Sequence, residues 1–92
     1  MTFIDELETI LEDRKKTLPE GSYATSLYKG GLDRILRKIG EETGEAIIAA
    51  KNKDHDELLN ELADLTFHIL VLLKSENLSF NDVIKVLKSR HK

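Results

Sequence analysis

The chain has 92 residues, of which 40% are hydrophobic and 34% charged, with a formal net charge of −3. That length bounds it to one domain, residues 1–92, and the apolar content is too rich for a disordered chain. The acidic balance speaks against nucleic-acid or anionic-membrane partners, and the absence of cysteine excludes disulfides, thiolate zinc sites and a cysteine nucleophile.

Met1 to Glu12 mixes acids with apolar residues and lacks a cationic lead into an apolar run, so a secretory signal is not expected. Phe3, Leu7, Ile10 and Leu11 recur at helical spacing and predict an amphipathic helix from residue 2 to about 16. Leu18-Pro19-Glu20-Gly21 ends it. Ser22 to Lys29 reads as a short helical turn, closed by Gly30-Gly31. From Leu32 to Lys51 the apolar positions Ile35, Leu36, Ile39, Ala46, Ile47 and Ala50 predict a long second helix. Gly40 and Gly44 lie inside it at a cost of about 1 kcal/mol each relative to Ala, which points to close approach of another helix or a ligand.

Asn52 to Asp56 is a polar connection to a helix over about 55 to 75. The second half of that helix is apolar nearly all round, which predicts a dimer interface or a bundle centre. Its run from Leu65 to Leu73 is far short of the roughly 20 residues needed to cross a bilayer, so a cytoplasmic protein is expected. Ser79 and Asp82 form a capping-box variant opening a last helix, which Lys88, Arg90 and Lys92 close with cations suited to its negative end. No strand alternation is present, and the predicted class is all-α with four to five helices.

Four carboxylates stand out against this frame. Glu42 and Glu45 are three apart, as are Glu61 and Asp64, and residues at that spacing share a helix face. If the two helices pack antiparallel, the pairs converge, and hard anionic oxygens suit Mg²⁺ where a phosphate completes its shell. Glu41 adds a fifth acid at i,i+4 from Glu45. Taken singly, each acid is most simply a solvated face; the matched pairing weakens that reading. Asp64 lies between Leu62, Ala63 and Leu65, where an unpaired carboxylate would be costly.

Arg34 and Lys38 extend the stripe with a basic half that could hold a phosphate chain, although an intrahelical Lys38–Glu42 pair needs no function. His68 lies one turn beyond Asp64; a buried, bonded imidazole is the simpler reading and phosphate contact the sharper one. Ser22-Tyr23 and Gly30-Gly31 are turn signals that could also approach a ligand with hydroxyls and amides. Tyr28 reads as packing, and His55 and His91 carry no signal.

Arg14, Gly21-Ser22-Tyr23, Lys29-Gly30-Gly31, the run Arg37 to Glu45 and the run Glu61 to His68 together resemble the phosphoribosyl-ATP pyrophosphohydrolases of histidine biosynthesis. These are similar to the all-α nucleotide pyrophosphatases of the MazG type, whose Glu-x-x-Glu and Glu-x-x-Asp signature falls on Glu42, Glu45, Glu61 and Asp64. The likeness runs from about Phe3 to Arg90, and one departure is Thr43-Gly44, where Ala or another small residue is expected before the third acid. It implies a helical bundle completed by homodimerisation, phosphoribosyl-ATP as the nucleotide substrate, and Mg²⁺ on the four signature acids. Glu41 would activate water, in a role exchangeable with Glu42. Lys38 and Arg34 would bind the polyphosphate, with Arg14, Ser22, Tyr23, Lys29 and His68 as further substrate contacts. Where this activity is fused to a cyclohydrolase using cysteine-bound zinc, this cysteine-free chain has no ligands for that partner activity. Two alternatives stay open: a housecleaning nucleoside triphosphate pyrophosphatase, and a non-catalytic helical dimerisation module.

Overall fold

The computed structural model describes residues 2–91 and contains five α-helices: α1 Phe3–Thr17, α2 Tyr23–Gly30, α3 Leu32–Lys51, α4 His55–Ser75 and α5 Phe80–Arg90. No strand occurs among the described residues, so the all-α expectation holds. Lys92, expected among the closing cations of α5, lies outside the described residues, as does Met1. Among the described residues, no helix is long and apolar enough to cross a membrane.

Local chemistry accounts for the boundaries. Thr2 caps α1 in a full capping box with Asp5, and the same device recurs at Ser79 and Asp82 of α5. In each, the hydroxyl accepts an N–H of the first turn while the carboxylate takes the cap residue's own N–H. Those bonds hold both aspartates below the usual carboxylate range. The left-handed residue that ends α1 is Leu18, at φ 46°, rather than Gly21. Gly31 ends α2 and begins α3 at φ 84°, a conformation open to glycine at little cost.

α3 and α4 form an antiparallel hairpin and the most extensive helix pairing of the fold, with α1 and α2 packed across it. The core gathers Leu11 of α1, Ala24 and Leu27 of α2, Ile35 of α3, and Leu70, Val71 and Leu73 of α4. Tyr28 joins it by donating from its hydroxyl to the Leu11 carbonyl at 3.0 Å, and burial pushes the phenol up to about 12. The apolar second half of α4 is thus the bundle centre. The large apolar residues left in solvent on the hairpin lie elsewhere: Leu32, Leu36, Ile47 and Ile48 on α3, and Leu59 and Leu62 on the first half of α4. Between Leu36 and Ile47, a Cβ added at Gly40 or Gly44 would meet nothing within 4 Å, so neither glycine is explained by packing inside this chain.

α5 is held lightly, since it buries no residue. Phe80 and Val83 pack against the core, and Glu8 Oε2 accepts the Phe80 N–H at 3.0 Å while pairing with Lys74 Nζ at 2.9 Å. Lys15 completes this junction by donating to the Lys74 carbonyl at 2.8 Å and to Asn77 Oδ1 at 2.6 Å.

Candidate active site

The antiparallel seam of α3 and α4 places Glu42, Glu45 and Glu61 together. Each offers a carboxylate oxygen, and these oxygens lie within 4.8 Å of one another. Glu42 and Glu61 are buried, at 7% and 8% exposure, and each keeps an Oε2 with no hydrogen-bond partner. Buried carboxylate oxygens without donors are costly unless a cation or proton arrives to meet them. The protein's own answer is a proton: shared hydrogen bonding with Glu45, then with Glu42 and Glu57, pushes Glu61 up to about 8, and burial adds to the effect. An all-oxygen anionic set with orphaned atoms fits a hard divalent cation.

Asp64, the fourth signature acid, is exposed and stands outside this group, because its neighbours Leu62 and Ala63 are themselves in solvent. The desolvation expected of it is therefore absent. Glu57 is the acid that spacing arguments passed over, though it lies one turn before Glu61 on the same face. It lines a cavity of about 380 Å³ with Glu45, Glu61, Asn52 and Asp54, continuing the acidic seam toward the α3–α4 turn.

The other end of the seam is basic and aromatic. Lys38 Nζ lies 3.1 Å from Glu41 Oε2 and 3.9 Å from Glu42 Oε1, so its closer partner is the i+3 acid. The Glu41 hydrogen bond, with Glu41, Tyr23 and Glu42 charge nearby, raises the Lys38 pKa and keeps it cationic. Arg34 stands one turn earlier, its Nε buried without a partner. Its aliphatic stem crosses the surface of Gly30, where an added Cβ would collide with Arg34 Cδ. Gly30 is therefore the space that Arg34 occupies.

Tyr23 reaches the same end from the first turn of α2. Its hydroxyl is 2.7 Å from His68 Nε2, and its ring stacks with Phe67 at 6.0 Å and 29°. His68 is 4% exposed, with Nδ1 2.7 Å from the Asp64 carbonyl, so both ring nitrogens are committed within the fold. Ser22 is the N-cap of α2, its Oγ accepting from Thr25 N–H at 3.4 Å. Lys29 is exposed in the last turn of α2, and Arg14 is half-buried in the last turn of α1.

A larger cleft, of about 650 Å³, lies between α1 and the start of α5, lined in part by Asp5, Glu8, Glu12, Asp13 and Lys74. Its buried acid, Glu8, is already paired with Lys74 and capped by Phe80 N–H. The α3–α4 seam keeps unpartnered oxygens, and that contrast makes it the candidate site.

A helical hairpin with a carboxylate cluster at its middle and cations at one end suits an all-α hydrolase acting on phosphoanhydrides. The comparisons agree: the model of the family described as phosphoribosyl-ATP pyrophosphohydrolase matches residues 4–91. The phosphoribosyl-ATP pyrophosphatase of Leptospira biflexa is 50% identical over 91 residues, covering 99% of each chain. That of Clostridium botulinum is 51% identical over 87 residues, 95% of this chain and 79% of that one. The histidine biosynthesis bifunctional protein of Bacillus subtilis is 52% identical over 88 residues, and the match takes in 96% of this chain but 42% of that one. The chain belongs to the phosphoribosyl-ATP pyrophosphohydrolase family, hydrolases of histidine biosynthesis.

Proposed function

We propose that this chain carries out its family's reaction at the α3–α4 seam, hydrolysing the α–β phosphoanhydride of phosphoribosyl-ATP to phosphoribosyl-AMP and pyrophosphate with Mg²⁺. The observation that carries this reading is the convergence of Glu42, Glu45 and Glu61 with two buried oxygens that lack partners. These three would hold the cation, with Asp64 one turn further along α4 as the fourth ligand. The bound cation supplies charge neutralisation for the phosphate oxygens and the leaving pyrophosphate.

The chain's own residues account for the rest. Glu41 is exposed at the edge of the cluster, where its carboxylate can orient a water and take its proton as the water oxygen bonds to phosphorus and the bridging P–O bond breaks. Lys38 leans on Glu41 and Glu42, which holds its ammonium at the mouth of the cluster to receive phosphate oxygens. The unpartnered Nε of Arg34 offers a second donor on the same stripe. Arg14, Ser22, Lys29, Tyr23 and His68 belong to the proposed substrate side, Ser22 and His68 acting through the α2 turn they fix. Glu42 remains exchangeable with Glu41 as the acid nearest the water.

Homodimerisation is part of the same proposal. Leu36, Gly40, Gly44 and Ile47 fall on one stripe of α3, and Leu59 and Leu62 on one side of α4. The smooth glycine surface between exposed apolar residues suits the close approach of a second copy of the hairpin. A cytoplasmic setting, with no nucleic-acid or membrane partner, completes the reading.

The test is pyrophosphate release from phosphoribosyl-ATP with Mg²⁺ and with EDTA, beside ATP and dCTP. Mg²⁺-dependent release from phosphoribosyl-ATP alone is expected. Release only from the ordinary nucleotides would overturn the substrate, and no release from any would overturn the enzyme.

A further inference from the structure

α4 begins without the capping box that opens α1 and α5. In those two helices the cap residue's N–H donates to an aspartate three residues on, Asp5 or Asp82. At Asp54, the N-cap of α4, the corresponding N–H is already taken by the Ala49 carbonyl at 3.1 Å. Asp54 Oδ1 accepts the Glu57 N–H at 3.1 Å, which leaves the Glu57 side chain with no cap to close. Its carboxyl instead lies within hydrogen-bonding reach of Glu61, one turn on. Acids four apart destabilise a helix, so local structure gains nothing from this pairing.

Glu57 and Glu61 share the cavity of about 380 Å³ at the α3–α4 turn. Four carboxylates, those of Glu45, Asp54, Glu57 and Glu61, line it together with Asn52, and no lysine or arginine does. None of the four belongs to an ion pair among the described residues. The cleft beside α1 is as rich in acids but has Lys16 and Lys74 in its wall. Glu61 brings a second, independent feature to the smaller cavity: it is 8% exposed, and its Oε2 has no partner. A buried anionic oxygen beside uncompensated carboxylates is costly until a cation meets it.

Glu45 and Glu61 thus face two ways, toward Glu42 within the 4.8 Å group and toward Glu57 at the turn. Glu57 itself is exposed and stands outside that group, so its reach to a cation there runs through water. Mg²⁺ keeps several of its waters when carboxylates bind it. At roughly 30 Å³ per water, the cavity has room for them.

We propose that Glu57 anchors the hydrated side of the cation, accepting hydrogen bonds from metal-bound water in the turn cavity while Glu45 and Glu61 bind the ion directly. Glu57 is a positioning residue outside the Glu-x-x-Glu and Glu-x-x-Asp signature, and its role rests on the pyrophosphohydrolase reading above.

Mn²⁺ binding, followed by the electron paramagnetic resonance of the free ion, tests this without substrate or turnover. Glu57→Ala is expected to weaken Mn²⁺ binding about tenfold or more, with helical content and the urea midpoint in EDTA no lower than wild type. Glu57→Gln, which keeps an acceptor oxygen for water, should recover part of that loss. Asp56→Ala removes a neighbouring first-turn acid that does not line the cavity, and should change binding less than twofold. Equal losses in Glu57→Ala and Asp56→Ala reduce the effect to general charge and overturn the proposal. Unchanged Mn²⁺ binding in Glu57→Ala, or wild type that binds no Mn²⁺, overturns it too. Pyrophosphate release from phosphoribosyl-ATP separates the two levels. Wild type that binds Mn²⁺ through Glu57 yet releases none keeps the ligand and overturns the reaction. Mg²⁺-dependent release whose half-saturating Mg²⁺ concentration is the same in Glu57→Ala overturns Glu57 alone.

Discussion

Glu8 Oε2 lies 2.9 Å from Lys74 Nζ and, with the same oxygen, accepts the N–H that opens α5. One carboxylate thus ties three helices together, and α5, which buries nothing, depends on it more than α1 or α4 does. Glu8→Ala removes the Phe80 bond and strands the Lys74 ammonium. The expected cost is about 2 kcal/mol by urea denaturation, below a fully buried pair because both side chains keep some solvent. Amide exchange should show α5 losing protection first. A loss spread evenly over all helices would contradict the tether.

The raised Glu61 carboxyl makes stability depend on pH in a definite direction. Its pKa stands at about 8 in the fold against an ordinary 4.5, so the folded chain binds the extra proton between those values. Stability from this group is complete below pH 4.5 and is lost as pH rises toward 8. Without divalent cations the melting temperature should fall across that window, and Glu61→Gln should flatten the slope. Mg²⁺ should stabilise most at the alkaline end, where it need not displace the proton.

Ala substitution separates the acids in the proposed mechanism. Glu45→Ala is expected to lower kcat/KM by about two to three orders of magnitude while leaving helical content intact. Asp64→Ala should cost as much only if Asp64 swings into the group on loading. Near-normal turnover in both variants would remove the metal model.

Gly40 offers a sign test for the dimer. Alanine there meets nothing within 4 Å in one chain, so an isolated chain should gain up to about 1 kcal/mol of helix stability. If a second copy packs on that surface, the same change should weaken association instead. Sedimentation of Gly40→Ala and Gly40→Leu checks it: dissociation with helicity intact is expected, and an unchanged dimer would move the interface elsewhere.

Gly30→Ala reaches the substrate through another residue. The new methyl displaces the Arg34 stem rather than the backbone, so the fold should survive with KM for phosphoribosyl-ATP raised about threefold or more. An unchanged KM would take Arg34 out of the phosphate site.

Periodicity and turn residues were enough to place the helices, because apolar spacing and a box such as Ser79–Asp82 act within a few residues. The Glu42–Glu45–Glu61 convergence was also legible, since i,i+3 pairs on two antiparallel helices have one way to meet. Exposure was not. Whether Asp64 sits in solvent, whether α4 meets its own core or a partner, and which acid Lys38 prefers depend on how far the hairpin turns as it packs. Glu57 escaped notice for a similar reason: its part in the site comes from the α3–α4 register, which no local pattern encodes.

Gly31 is both the last cap of α2 and the first of α3, so a single pair of dihedral angles separates the helix carrying Tyr23 from the helix carrying Arg34 and Lys38. One residue inserted or removed there would turn one helix about its axis by about 100° relative to the other. Tyr23 and the Arg34–Lys38 stripe would no longer stand at the same end of the seam. This junction should therefore tolerate no change of length among active relatives.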